Sequence, residues 1–139
     1  VLNIHYLPDQ RELIKNALLE STADIICTSG GASVGVEDFA ASLVSELGEL
    51  LVHGISMRPA SPTGFGLIGG KKVFLLPGNP VSAMTAYDFV VRTAIQISAG
   101  NNPDWPYRKK TVKLSTKITS QIGRVDYVRG KLENNEASL

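Results

Sequence analysis

Two short stretches rich in glycine carry residue types that suit the binding of phosphate groups. The first, Thr28–Gly35, contains three glycines and two serines and precedes a predicted helix. Glycines let a backbone approach a ligand closely, and a helix N-terminus carries partial positive charge. These features predict a phosphate cradle. The residues alone leave a structural turn as an equal alternative, because the spacing is not the Gly-x-x-x-x-Gly-Lys pattern of a nucleotide-binding loop.

The second stretch, Pro77–Ser82, reads Pro-Gly-Asn-Pro-Val-Ser. Asn79 suits the N-cap position of a helix and Pro80 its first turn, so a helix is predicted to begin here. On residue types alone, Asn79 could be only a helix cap, and Ser82 only a first-turn hydroxyl. A ligand-binding role for this stretch therefore needs further support.

Two aspartates and one arginine could assist at a phosphate. Asp38 lies in the first turn of the helix after the first stretch, where it could stabilise the helix dipole or bind Mg²⁺. Asp9 has the same ambiguity, because with Glu12 it fits a capping box. Arg58 follows a predicted strand, and its planar guanidinium suits a phosphate or molybdate oxyanion, although spacing alone favours an ordinary exposed arginine.

The elements that position these residues alternate between strands and helices up to Ser98. This order predicts a three-layer α/β/α domain around a mostly parallel sheet, followed by a partial all-β module. In such sheets ligands bind beyond the carboxyl ends of the strands, where both glycine-containing stretches fall. The predicted helices are Asp9–Glu20, about Glu37–Gly48 and Asn79–Ser98, and the predicted strands are Ala23–Thr28, Leu50–Ser56, Phe65–Ile68 and Lys72–Leu76.

Composition divides the chain into a domain at 1–100, a linker at 101–107 and the beginning of a C-terminal β domain at 108–139. In the last part, Thr111–Ile118 and Val125–Leu132 predict an antiparallel hairpin. Arg58–Gly64 is predicted to be a loop, because it contains two prolines and a glycine.

Bulk properties exclude several classes of partner. The formal net charge is +1, which gives no argument for nucleic acid binding, and no apolar run approaches the roughly 20 residues of a membrane span. Cys27, the single cysteine, lies in the apolar run Ile25–Cys27 and is predicted to be a buried small hydrophobe. A cytoplasmic location fits this cysteine usage.

Two motifs, in this order, resemble the molybdopterin molybdenumtransferases and the E domain of gephyrin. One is Thr28–Gly35, followed closely by Asp38 and an aromatic residue, and the other is Leu76–Ala83, reading Leu-Pro-Gly-Asn-Pro-Val-Ser-Ala. The resemblance covers about residues 1–98. The C-terminal run Gly123–Arg129 looks like the start of the β-barrel-like domain of that family.

The resemblance implies a transferase that inserts molybdenum from molybdate into adenylylated molybdopterin and releases AMP with the help of Mg²⁺. It implies that Asp38, and less securely Asp9, lie at the metal and the pyrophosphate, with Arg58 preserving a cation of the catalytic site. The residues that it implies for the pterin nucleotide are Thr28, Ser29, Gly30, Gly31, Ser33, Gly35, Ser61, Pro77, Gly78, Asn79, Pro80 and Ser82.

This chain departs from the family pattern in two places. Many members read Lys-Pro-Gly-Lys-Pro where this chain has Arg58–Pro62, so Ser61 replaces a second cation and weakens the case for a two-cation oxyanion site. The family's first strand of this domain and its upstream domains are also missing. We therefore expect the chain to be a piece of a longer, homodimeric protein and to be inactive by itself.

Two other functions remain open on the sequence. One is a molybdopterin adenylyltransferase of the same fold, which the β-rich run Thr111–Leu132 argues against. The other is a non-catalytic molybdopterin-binding or scaffold protein, which the altered loop at Ser61 leaves open.

Overall fold

A four-stranded sheet forms the centre of the computed structural model, which describes residues 3–30 and 39–138. Across the sheet the strands follow the order β1 (Ile25–Ser29), β5 (Lys71–Leu76), β4 (Gly64–Ile68) and β2 (Glu49–His53). β1 is parallel to β5, whereas β4 is antiparallel to both of its neighbours. Three of the four strands therefore run in one direction. The predicted α/β class is confirmed, and the sheet is mixed because β4 and β5 form a hairpin.

Helices cover both faces of this sheet. The helices α1 (Arg11–Glu20) and α2 (Phe39–Leu47) pack on one face, against Val73 and Leu75 of β5. The other face is covered by one long helix, residues 80–98, which packs against Phe74 and Leu76 of β5. Side chains alternate along a strand, so neighbouring residues of β5 enter opposite cores. The three predicted layers are confirmed.

The long helix begins as the sequence predicts. It consists of α3 (Pro80–Ala86), the π-helical turn (Tyr87–Val91) and α4 (Arg92–Ser98). The side-chain oxygen of Asn79 accepts hydrogen bonds from the backbone N–H groups of Val81, at 3.1 Å, and Ser82, at 3.2 Å. Asn79 is therefore the N-cap, and Pro80 is the first helical residue.

The start of the first helix differs from the prediction. Its N-cap position is held by Gln10, without a side-chain capping bond, so the capping box of Asp9 and Glu12 is wrong. The Gln10 N–H instead donates to the Pro8 carbonyl at 2.7 Å, and this turn leaves Asp9 in a bend before the helix.

The prediction that Cys27 of β1 is buried is wrong. Among the described residues the neighbour of β1 is β5, and β1 forms one edge of the sheet. Cys27 is consequently exposed rather than buried. The protein around the thiol still removes enough water that burial raises the pKa of Cys27.

The C-terminal residues pair differently from the predicted hairpin. Strand β7 (Val125–Asp126) is parallel to β3 (Met57–Arg58), which places Arg58 in a short strand instead of a loop. The hairpin that forms joins β8 (Lys131–Glu133) to β9 (Glu136–Ser138), and β6 (Lys113–Leu114) is parallel to β9. Its turn, Asn134-Asn135, has positive φ at both residues, the backbone that a tight hairpin requires.

An aromatic cluster attaches the C-terminal residues to the long helix. Phe89, in the π-helical turn, stacks on Tyr127 with ring centroids 4.1 Å apart and lies 5.2 Å from Trp105 and 5.9 Å from Tyr107. The Tyr107 hydroxyl donates to the carboxylate of Asp88. The linker thus lies against the helix, and Tyr127 fixes the end of β7. No helix in the two described ranges combines the length and apolarity of a membrane crossing.

Candidate ligand site at the carboxyl edge of the sheet

The two glycine-containing stretches meet at the carboxyl ends of β1 and β5. The two strands are parallel neighbours, and Ser29 lies opposite Leu76 at their last paired positions. A methyl group added at Gly78 would lie 3.5 Å from the Cα atom of Gly30. Gly30 has φ +96°, a left-handed conformation that favours glycine. The backbones of the two stretches therefore pack directly against each other; Thr28–Gly30 and Pro77–Ser82 are called the loop pair below.

Side chains of the loop pair differ in how they are used. Pro77 is buried, and Asn79 Oδ1 accepts the two capping hydrogen bonds. Ser82 and Thr28 are half-buried. The exposed members, whose surface a ligand could reach, are Ser29, Gly30, Gly78, Asn79 and Pro80. The structure therefore brings eight of the predicted binding residues to one edge of the sheet: Thr28, Ser29, Gly30, Pro77, Gly78, Asn79, Pro80 and Ser82.

Four predicted residues lie outside the described part of the chain: Gly31, Ser33, Gly35 and Asp38. Asp9 is described, and its neighbour Arg11 pairs with Glu46 in the last turn of α2. Asp9 itself is exposed, in the bend before α1.

A Mg²⁺ ion in a protein is bound by oxygen ligands, chiefly carboxylates. Residues 3–30 and 39–138 contain no cluster of three or more His, Cys, Asp or Glu side chains that could hold a metal ion. Asp38 lies outside these residues, so the Mg²⁺ ligands inferred from the sequence stay a prediction.

A third loop, residues 54–63, lies at the same edge because it follows β2, which runs in the same direction as β1 and β5. Backbone hydrogen bonds close it, from Gly54 to Thr63 at 2.9 Å and from Ile55 to Ser61 at 2.8 Å. The buried Thr63 hydroxyl donates to the carbonyl of Ala60 at 2.6 Å. This network fixes the backbone that carries Arg58 and Ser61.

Arg58 and Ser61 line a polar cavity of about 420 Å³, which we call the arginine cavity. One wall belongs to residues 55–61 and the other to residues 121–124, which the β3–β7 pairing brings across. The lining residues are Ile55, Ser56, Met57, Arg58, Ser61, Gln121, Ile122, Gly123 and Arg124. Two arginines therefore line the cavity, although Ser61 itself carries no charge.

Sequence reasoning missed Arg124 as a site residue. Its guanidinium Nε donates to Asp126 at 2.8 Å, and a terminal nitrogen donates to Gln121 at 2.9 Å. A hydrogen bond from Ser120, hydrogen bonds from Arg124 and the charges of Arg124 and Arg58 hold the pKa of Asp126 below its ordinary value. The available signal was the Arg-Val-Asp spacing, since residues two apart in a strand share a face.

Comparison with known proteins identifies the family to which this chain is similar. The family described as "Probable molybdopterin binding domain" matches residues 1–96. Molybdopterin molybdenumtransferase 1 of Mycobacterium tuberculosis is 35% identical over 130 residues, covering 91% of this chain and 30% of the relative. The molybdopterin molybdenumtransferase of Haemophilus influenzae is 31% identical, covering 98% of this chain and 34% of the relative.

A solved structure of a molybdopterin biosynthesis protein is also similar to this chain. The molybdopterin biosynthesis moea protein from Pyrococcus horikosii superposes with a TM-score of 0.74 at 35% identity, over 94% of this chain and 32% of that chain. The chain thus spans about a third of the length of the relatives that it matches. The resemblance inferred from Thr28–Gly35 and Leu76–Ala83 is confirmed, and the chain belongs to the molybdopterin-binding domain family.

Proposed function

We propose that the protein containing this chain acts in molybdenum cofactor biosynthesis, inserting molybdenum from molybdate into adenylylated molybdopterin with release of AMP. The observation that carries the proposal is a cavity with two arginines at the same sheet edge as a pair of contacting glycine loops. Such an edge offers one place for a phosphate-bearing ligand and another for a small oxyanion. The relatives named molybdenumtransferases align with 91% and 98% of this chain, so the similarity extends beyond residue 96.

In this proposal the loop pair holds the pterin nucleotide. The close approach of Gly30 and Gly78 leaves no side chain between the two backbones at that point, so peptide groups are accessible to a ligand. Ser29 and Asn79 add exposed polar side chains at the rim. Gly31, Ser33 and Gly35 continue this surface as predictions from the sequence.

The arginine cavity binds molybdate in this proposal. Molybdate is a tetrahedral dianion, and guanidinium groups bind pairs of oxyanion oxygens through parallel N–H donors. Arg58 and Arg124 supply two positive charges, and Asp126 supplies one negative charge beside them. The net local charge is positive, and Ser61 contributes a hydroxyl in place of a third charge.

Mg²⁺ dependence stays a prediction that rests on Asp38, with Asp9 as a second candidate ligand. Homodimer formation and a cytoplasmic location are likewise predictions for the full-length protein. Bound at the phosphates, Mg²⁺ would neutralise charge as the pyrophosphate link is cleaved.

The test uses the full-length protein, loaded with adenylylated molybdopterin and then given molybdate. We expect AMP release only after molybdate is added, and loss of this release in Asp38→Ala. Tight binding without AMP release would favour a carrier or scaffold protein, and consumption of ATP with free molybdopterin would favour an adenylyltransferase. Either result would contradict the proposal.

A further inference from the structure

Asp126 lies at the centre of a hydrogen-bonded cluster behind the arginine cavity, without lining the cavity itself. Its Oδ1 accepts from Nε of Arg124 at 2.8 Å, and its Oδ2 accepts from Nη2 of Arg124 at 3.4 Å and from the Ser120 hydroxyl at 2.5 Å. The Asp126 side chain is only 11% exposed. The carboxylate therefore accepts hydrogen bonds from one edge of the Arg124 guanidinium, and the Ser120 hydroxyl donates a further hydrogen bond to it.

The remaining donors of Arg124 form a fork. A guanidinium has five N–H groups, and the described bonds to Asp126 and Gln121 use one on Nε and one on each terminal nitrogen. Among the described residues this leaves one N–H on each terminal nitrogen. Two such donors, carried by one planar group, can bind two oxygens of a tetrahedral oxyanion, and they are called the free fork below.

Strand pairing also fixes the position of Asp126 relative to Arg58, the other cation of the cavity. Asp126 is the register partner of Arg58 in the β3–β7 pair, and the next residue, Tyr127, donates its backbone N–H to the Arg58 carbonyl at 2.7 Å. The Tyr127 ring stacks on Phe89 of the long helix. The carboxylate is thus fixed by the backbone relative to both arginines.

We propose that Asp126 is a positioning residue for oxyanion binding, which orients the Arg124 guanidinium so that its free fork is presented together with Arg58. The inference rests on the proposed function, since it takes molybdate as the anion of the arginine cavity. An unrestrained arginine has many rotamers and loses entropy when it binds. Asp126 and Ser120 remove that cost before the anion arrives, because they hold the planar group in one orientation.

The primary test is Asp126→Asn in the full-length protein, assayed by molybdate-dependent AMP release. Asparagine replaces one of the two acceptor oxygens with a donor. The paired hydrogen bonds to Arg124 are therefore lost, while the size and shape of the side chain are kept. Loss of a charged hydrogen-bonded pair predicts a KM for molybdate raised by roughly tenfold. We expect kcat and the affinity for adenylylated molybdopterin to change by less than about twofold, on the scale of a surface substitution. A merely structural role would lower kcat and pterin affinity as well.

Glu133→Gln is the matched control. It removes one carboxylate charge from the same C-terminal segment, at an exposed ion pair with Lys131 on β8, and Glu133 does not line the arginine cavity. We expect its KM for molybdate to equal that of the unsubstituted protein. An equal rise in both variants would show that net charge, and not positioning, is responsible, and would overturn the inference.

Chemical rescue gives a second readout. In Arg124→Gly, added guanidinium ion is expected to lower the raised KM for molybdate, because Asp126 can hold the free ion in place. In Arg124→Gly combined with Asp126→Asn, guanidinium is expected to have no such effect. Equal rescue of both variants would contradict a positioning role.

The two proposals fail in different ways. If Arg58→Ala and Arg124→Ala leave the KM for molybdate unchanged, the arginine cavity is not the molybdate site, and the inference fails with that assignment. If both variants raise the KM but Asp126→Asn does not, the proposed function stands and the positioning role is wrong.

Discussion

The loop pair and the arginine cavity lie at the same edge of one sheet, but one consists mainly of backbone and the other of charged side chains. The loop pair consists of backbone, with Gly30 and Gly78 in contact and the side chain of Asn79 used for a helix cap. The arginine cavity consists of charged side chains, Arg58 and Arg124, which come from distant parts of the chain. A backbone surface is sensitive to added volume, whereas a charged cavity is sensitive to lost charge and to salt.

This difference suits the two ligands proposed for them. A pterin nucleotide is large, and a broad surface of peptide groups can contact it at many points. Molybdate is small, so its recognition depends on a few well-placed cations. Substitutions that act on one region and spare the other therefore test whether the division is real.

The largest effect is expected from added volume in the loop pair. A Cβ at Gly78 already lies 3.5 Å from Gly30, so the branched side chain of Gly78→Val has to push the loops apart. Overpacking of this kind costs about 1–3 kcal/mol, which predicts a roughly 5- to 150-fold weaker affinity for adenylylated molybdopterin by calorimetric titration. Gly78→Ala is the control and is expected to stay close to the unsubstituted protein, since 3.5 Å is an ordinary contact. Equal affinities for the two variants would argue that the ligand does not depend on this contact.

A smaller and different effect is expected in the arginine cavity. Arg58 is exposed, so its loss falls at the lower end of charged hydrogen-bond energies, about 1.5 kcal/mol, and Arg58→Ala should raise the KM for molybdate by roughly tenfold. The affinity of the Arg58→Ala variant for adenylylated molybdopterin should not change. The KM for molybdate should also depend less steeply on salt concentration in Arg58→Ala, because the variant lacks one positive charge that salt can screen. A parallel loss of pterin affinity would mean that the two regions form one site.

The helix cap of the loop pair is expected to affect stability more than binding. Asn79→Ala removes the acceptor of two backbone N–H groups and should lower the free energy of unfolding by about 1 kcal/mol, measured by urea denaturation. Asn79→Asp keeps an acceptor oxygen and should lose far less. If both variants were equally stable, the cap would contribute nothing to the fold.

The smallest effect concerns Cys27 in β1, just before the loop pair. Burial raises the pKa of its thiol, so less thiolate forms at a given pH and alkylation by iodoacetamide at pH 8 should be slower than for free cysteine. The thiol becomes reactive as pH rises through its folded pKa. The difference should vanish in guanidinium chloride, where the thiol is solvated. Alkylation as fast as that of free cysteine in the folded protein would contradict the raised pKa.

Much of the fold follows from short-range signals in the sequence. The run Lys72–Leu76 predicts a strand, and Gly69-Gly70 predicts the turn between it and Phe65–Ile68; both are observed. Asn79-Pro80 predicts a helix start because a cap and a fixed φ act within one turn. The loop pair could be located in the same way, because the end of each of its two strands can be predicted from the residues close to it in sequence.

What the sequence by itself determined is therefore the set of local elements and the motif residues that they carry. Only the tertiary structure decided that β3 pairs with β7, which brings Arg124 and Asp126 beside Arg58 across more than sixty positions of sequence. It also decided that Cys27 lies on a sheet edge and that Asp9 precedes its helix without capping it. Local elements depend on neighbours within a few residues, whereas strand partners depend on which surfaces remain to be packed once those elements have formed.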